Sequence, residues 1–209
     1  MDLRKIPLDI LFTIRIQFHY LRMKHVIGKR IREERKKRGI SLEDLAALTG
    51  FTKGYLSKVE NSTKPPPIYT LVRISDALKV DLATLLLEQT GSDPSVEIDV
   101  TRKDGRFITD GRGTPYGYIY EGLALNKRGK NMNPFIVTVS GKGDALFSHE
   151  GEEFLYVLEG SLEFYFRDKV YRLEEGDCIY FDSAVPHGGK SLGDKPAKIL
   201  IVVYSYKRL

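Results

Sequence analysis

The chain is 209 residues long, 42% hydrophobic and 29% charged, with a formal net charge of +5; this is enough apolar material for one domain or two small ones, and it excludes a disordered or fibrous protein. A single cysteine, Cys178, excludes an internal disulfide framework and fits a reducing, cytoplasmic setting. The charge is uneven: residues 1–90 hold 17 Lys and Arg against 10 Asp and Glu, whereas residues 91–209 hold 16 against 18, so only the first part is drawn to a polyanion.

Residues 1–25 are apolar with scattered Arg and Lys and no clear period, and they precede a better domain start near Val26. Three readings stand open: an extra strand or helix docked on a neighbour, translation that begins at Met23, or a membrane-surface helix. No stretch approaches the roughly 18 apolar residues of a membrane span, and the segment has no cleavage site, which speaks against a membrane partner and against secretion.

Residues 26–88 read as five short helices. In the first, Ile27 to Lys37, Ile27 and Ile31 share one face among Lys29, Arg30, Arg32, Arg35, Lys36, Lys37 and Arg38, and Gly39 stops it. This basic run is read as divided between phosphate contacts and plain solubility. Ser41, with Asp44 three residues on, caps a second helix through Leu42, Leu45, Ala46 and Leu48, and Gly50 ends it. Thr52 caps a third, Lys53 to Glu60, which buries Leu56 and Val59 and leaves Lys53, Gly54, Tyr55, Ser57 and Lys58 outward. After the extended Lys64-Pro65-Pro66-Pro67, Ile68 to Leu78 forms a fourth helix, and Asp81 caps a fifth through Leu82, Leu85 and Leu86.

The run SLEDLAALTGFTKGYLSKVEN resembles the helix-turn-helix of the lambda-repressor-like (XRE) family, through Ser41, Leu45-Ala46, Gly50, Thr52 and Leu56-Ser57-Lys58-Val59-Glu60-Asn61. The resemblance covers about 60 residues and implies that the third helix enters the major groove of double-stranded DNA. It places Thr52, Lys53, Gly54 and Tyr55 nearest base edges, Ser57 and Lys58 against groove wall or backbone, and Thr63 and Lys64 at phosphates. One such module gives little contact area, so a homodimer or higher homo-oligomer is expected.

A polar linker, residues 89–110, separates this module from residues 111–209, where the period changes to two: Tyr118–Leu125, Pro134–Ser140, Glu153–Leu158, Ser161–Arg167, Val170–Leu173, Cys178–Phe181 and Lys198–Tyr206 read as strands. The expected fold class is thus two domains, an all-α helix-turn-helix bundle followed by an all-β double-sheet barrel of the jelly-roll type. His149, Glu153 and His187 are candidate ligands, because inward-facing strand positions can bring two imidazoles and a carboxylate to one face of an ion. The open alternative is that these three hydrogen-bond within a polar pocket that receives an organic effector. Phe147, Leu155, Val157, Tyr165, Ile179, Phe181 and Tyr204 are expected to face inward, and Tyr116, Tyr118 and Tyr120 with Lys127 and Arg128 to stand at the mouth or in the sheet surface. Asp177 is assigned to the turn beside Gly176.

The segments HEGEEFLYVLEG and LEEGDCIYFDSAVPHG resemble the two motifs of the cupin superfamily, with matches at His149, Glu153, Gly160, Gly176 and His187. Phe147 stands in place of the first motif's other histidine, so the chain retains three of the four family ligands. The resemblance implies a divalent metal: iron, or manganese, nickel, cobalt or zinc.

A helix-turn-helix followed by a cupin is similar to bacterial and archaeal transcription regulators whose barrel senses a small-molecule effector. It is also similar to the hydroxypropylphosphonate epoxidase family of mononuclear iron enzymes, in which His149, Glu153 and His187 fall on the iron ligands and Tyr120 on a pocket tyrosine. Gly39 and Leu146 fall where that family has a lysine and an asparagine. The expectation is therefore a sequence-specific DNA-binding regulator that is not an enzyme. The alternative is a mononuclear non-haem iron cupin enzyme, oxygenase or epoxidase-like, with a retained helix-turn-helix.

Overall fold

The computed structural model describes residues 27–62, 66–86, 97–109, 118–140 and 146–204. The N-terminal extension, Thr63, Lys64 and Tyr116 lie outside the described residues. By contact the chain divides into two compact units, residues 1–65 and 66–209.

The first unit holds α1 (Ile27–Lys37), α2 (Leu42–Thr49) and α3 (Lys53–Asn61). Ile31, Leu45 and Leu56 are fully buried and form its centre. The capping chemistry falls where the sequence puts it: Ser41 Oγ accepts from the Asp44 amide and the Asp44 carboxylate accepts from the Ser41 amide, both at 3.0 Å, while Thr52 Oγ1 accepts from the Tyr55 amide at 3.2 Å. Gly50, at φ 67°, makes the left-handed turn between α2 and α3.

Arg35 does not belong to the basic surface. It is buried, and its guanidinium forks onto Glu60, Nε to Oε1 at 2.6 Å and Nη2 to Oε2 at 2.8 Å, with Nη1 on the Ile40 carbonyl at 2.9 Å. The hydrogen bonds to Glu60 favour the charged guanidinium and push Arg35 further above its ordinary pKa. The pair ties α1 to the C-terminal end of α3. Gly28 permits the same approach: a Cβ there would lie 2.6 Å from the Val59 carbonyl oxygen and 2.7 Å from that of Glu60.

The second unit begins with α4 (Ile68–Ala77) and α5 (Leu82–Leu86), whose Leu71, Ile74, Leu78, Leu82, Leu85 and Leu86 are fully buried or nearly so. Among the described residues nine strands follow: β1 (Phe107–Ile108), β2 (Ile119–Gly122), β3 (Met132–Val139), β4 (Glu152–Glu159), β5 (Ser161–Phe166), β6 (Lys169–Leu173), β7 (Cys178–Asp182), β8 (His187–Leu192) and β9 (Ala197–Tyr204). They form a six-stranded antiparallel sheet in the order β1-β2-β3-β9-β4-β7 and a three-stranded sheet in the order β6-β5-β8.

The expectation of a closed double-sheet barrel is corrected here. Among the described residues no ladder joins an edge of one sheet to an edge of the other, and the Phe147–His187 pair is an isolated bridge. The unit is an open pair of sheets. Alternation in sequence reports which face of a strand is buried, and that pattern is the same whether or not the edges close. Strand β8 is not among the strands expected from the sequence; a Cβ at Gly189 would sit 3.0 Å from the Glu163 carbonyl oxygen, so glycine eases the approach of β8 to β5. Among the described residues no helix is long and apolar enough to cross a membrane.

Candidate functional site

Three side chains converge inside the second unit. Glu153 lies on β4, whose inward positions Glu153, Leu155 and Val157 are all buried. His187 opens β8. His149 stands just before β4, on a short segment held by three backbone hydrogen bonds: the Phe147 and His187 amides donate to each other's carbonyls at 2.7 and 2.9 Å, and the His149 amide donates to the Ser183 carbonyl at 2.9 Å. All three side chains are buried, and one ligand atom from each lies within 4.8 Å of the others.

The hydrogen bonds fix the ring nitrogens. His187 Nδ1 lies 2.8 Å from the Val185 carbonyl and His149 Nδ1 lies 3.3 Å from that of Glu150, which turns both Nε2 atoms toward Glu153 Oε1. His149 Nε2 hydrogen-bonds that oxygen, and His187 Nε2 lies 3.6 Å from it. Burial pushes the Glu153 carboxyl up, but the hydrogen bonds and attraction of the two imidazoles outweigh burial and bring it down to about 2. The group is therefore an anion at neutral pH.

This donor set fits a divalent metal. Two imidazole nitrogens and one carboxylate oxygen face one point, and each imidazole has its other nitrogen engaged by a backbone carbonyl, the support that orients metal-bound histidine. Two His and one carboxylate with open positions is the arrangement of mononuclear non-haem iron sites.

The triad forms one wall of an apolar cavity. Tyr120, Phe147 and Leu155 line it, as do Phe135, Val137 and Val139 of β3, Ile199, Ile201 and Val203 of β9, Leu162 and Phe164 of β5, Tyr118, and Ile68, Tyr69 and Val72 of α4. Burial, then the neighbouring Tyr118 and Glu153, push the Tyr120 phenol above its ordinary pKa, so it stays protonated. The Tyr118 hydroxyl donates to the Gly189 carbonyl.

Other expected pocket residues lie elsewhere. Val157 is fully buried in the core beyond the cavity, and Phe181 packs between Phe164 and His187, with ring centroids 5.1 and 4.9 Å away. Tyr165 is on the opposite face of β5, where its hydroxyl donates to Glu163 at 2.5 Å and Lys190 Nζ sits 5.5 Å from its ring. Tyr204 is likewise out of phase with Val203 on β9; the run ILIVVY is apolar throughout, so its alternation does not report which face is inward. Ile179 is half-buried on β7. Arg128 donates to Thr84 of α5 at 2.8 Å, Lys127 donates to the Arg128 carbonyl at 3.0 Å, and Leu146 is exposed. Asp177 does serve its turn, accepting from the Glu174 amide at 2.8 Å.

In the first unit, Thr52, Lys53, Gly54 and Lys58 are exposed, and Tyr55 and Ser57 half-buried. Nothing stands within 4 Å of a Cβ placed on Gly54, so the start of α3 is open to close approach. Lys53 pairs with Glu43 of α2, an exposed contact that a phosphate can displace at small cost. The Tyr55 ring rests on Phe51, with centroids 5.1 Å apart.

Comparisons with known proteins agree with both halves. A helix-turn-helix family model matches residues 31–85 and a cupin domain model matches residues 135–203. The transcriptional regulator SinR of Bacillus subtilis is 37% identical over 75 residues, covering 35% of this chain and 68% of SinR. The (S)-2-hydroxypropylphosphonic acid epoxidase of Streptomyces wedmorensis is 30% identical over 169 residues, covering 76% of this chain and 85% of the epoxidase. An HTH_3 family transcriptional regulator from Vibrio cholerae shares the fold, with a TM-score of 0.62 at 24% identity, over 88% of this chain and 98% of that one. The expectation that the chain is not an enzyme is overturned by the buried His149–Glu153–His187 triad together with the relationship to an epoxidase. The chain thus carries a DNA-binding helix-turn-helix and a cupin domain with a metal triad, and it belongs to the helix-turn-helix–cupin family that contains the S. wedmorensis epoxidase.

Proposed function

We propose that the chain is a mononuclear non-haem iron enzyme of the cupin type, acting oxidatively on a small molecule with a largely apolar body, and that its helix-turn-helix is retained for binding double-stranded DNA. The observation that carries this reading is the buried triad set into the wall of an apolar, aromatic-lined cavity.

His149, Glu153 and His187 would hold the metal, whose contribution when bound is one-electron chemistry with an oxidant at positions the protein leaves open. The remaining work falls to the chain. The walls from β3, β5 and β9 displace water from the substrate's apolar body, which strengthens the electrostatics of the few polar groups inside. Tyr120, kept protonated, is a hydrogen-bond donor facing the same space as Glu153. Tyr118 is tethered to Gly189 and sets the position of the β8 backbone beside His187.

The test is anaerobic reconstitution with Fe(II), followed by metal analysis and by measurement of oxidant consumption with a panel of small apolar alcohols and acids. About one iron per chain and consumption that depends on the organic compound are expected. Failure of the wild-type protein to retain iron under these conditions would remove the reading.

For the N-terminal domain, we read Thr52, Lys53, Gly54 and Tyr55 as the groups at base edges, with Ser57, Lys58, Thr63 and Lys64 at the backbone. The open start of α3 supports this, and a homodimer would present two such helices to successive half-sites.

A further inference from the structure

His149 is the least securely placed of the three ligands by secondary structure. Glu153 and His187 lie on ladders, whereas His149 sits on an irregular stretch before β4. Such a stretch needs restraint from outside if the imidazole is to be held within the tolerance a metal site requires.

The backbone bonds to His187 and Ser183 supply part of that restraint, and a helix supplies the part that reaches the side chain. Tyr69, in the first turn of α4, grips three consecutive residues of the stretch. Its hydroxyl donates to the Ser148 carbonyl, and its ring packs on Phe147 at a centroid distance of 5.5 Å and on His149 at 5.4 Å. One turn further along α4, Arg73 Nη1 donates to the Tyr69 hydroxyl at 2.7 Å and lies 3.4 Å from the Ser148 carbonyl, with the guanidinium carbon 5.8 Å from the Tyr69 ring centroid. The far side of the same stretch is closed by Ser148 Oγ, which donates to the Ala184 carbonyl at 2.8 Å.

We infer that Tyr69 is a positioning residue for the ligand His149: its ring fixes the tilt of the imidazole and its hydroxyl fixes the backbone that carries it. The inference rests on the metal-dependent reading above. Arg73 acts through Tyr69 by holding the hydroxyl in place. Tyr69 does not bind the metal, so its effect is expected in metal affinity and in the geometry at the metal, not in loss of the site.

The experiment is titration of the metal-free full-length protein with Co(II), whose visible absorption reports both affinity and coordination geometry. Tyr69→Ala should weaken Co(II) by about 10- to 100-fold, the usual effect of removing the support of a ligand histidine, and should shift the visible bands. Tyr69→Phe, which keeps the ring contacts and loses the hydroxyl's hold on the Ser148 carbonyl, should fall between Tyr69→Ala and wild type in both affinity and band positions, an intermediate that a residue which only fills space would not give. His149→Ala marks the signal of a lost ligand. If wild type binds Co(II) and both Tyr69 variants match it in affinity and spectrum, the inference is overturned while the metal reading stands. If wild type takes up no Co(II), the metal reading fails and the inference falls with it. Should Tyr69→Ala fail to fold, Tyr69→Leu takes its place, and wild-type affinity and bands in that variant would overturn the inference.

Discussion

Glu153 shows how a single environment sets a residue's role. Its carboxyl is nearly inaccessible, which by itself favours the neutral acid, yet two imidazoles drive its pKa from 4.5 to about 2. A carboxyl whose folded pKa is depressed contributes stability that is complete above its unfolded pKa, near 4.5, and is lost as the pH falls toward the folded value. In metal-free protein, the melting-temperature difference between wild type and Glu153→Gln should therefore narrow as the pH drops from about 6 to about 3; a difference that stays constant over this range would contradict the assignment. Arg35 carries the opposite lesson. Arg35→Ala strands Glu60 as a buried, unpaired anion and should cost about 3–5 kcal/mol in urea unfolding, followed by tyrosine fluorescence because the chain has no tryptophan. His149, Glu153 and His187 are legible in the sequence because their spacing repeats a known ligand pattern. Arg35 and Tyr69 are not: Arg35 is indistinguishable from its neighbours in a basic run, and Tyr69 is one aromatic on an amphipathic helix, far along the chain from the ligand it touches.

Elements with local signals are the ones that sequence reading recovers. α2 and α3 begin at residues whose side chains cap them and part at a glycine with φ above zero, and all of this chemistry lies within a few residues. β8 and the open sheet edges depend on what strands meet far along the chain, and no local pattern reports that. Close approach of elements is a similar case. Gly28, a residue type that weakens a helix, is the point where α1 meets the last turn of α3. A methyl group there would press on two backbone carbonyl oxygens that cannot rotate away. Gly28→Ala, which raises intrinsic helix propensity, should nevertheless destabilise the first unit by about 1–3 kcal/mol. A urea midpoint equal to or above wild type would show that α1 and α3 have room to separate.

At the scale of the whole molecule, the charge asymmetry separates the helix-turn-helix part of the chain from the part that carries the metal triad. The excess of Lys and Arg lies in residues 1–90, and the metal triad lies in residues 149–187, within the acidic remainder. Duplex binding should thus be governed by counterion release at the N-terminal domain, with a log–log salt dependence whose slope grows with the number of phosphates neutralised. Removing one lysine at a phosphate should flatten that slope by about 1 and weaken all sequences alike, whereas removing a base contact should erase discrimination between sequences. Lys58→Ala tests the first effect. Lys53→Ala combined with Tyr55→Ala tests the other, measured as the ratio of affinities for a selected site and random duplex at fixed salt. Both variants should take up Co(II) as wild type does, because neither side chain lines the cavity. Unchanged discrimination in the double variant would mean that α3 does not read the groove, and the role of the helix-turn-helix would then have to be sought in holding protein and not in reading DNA.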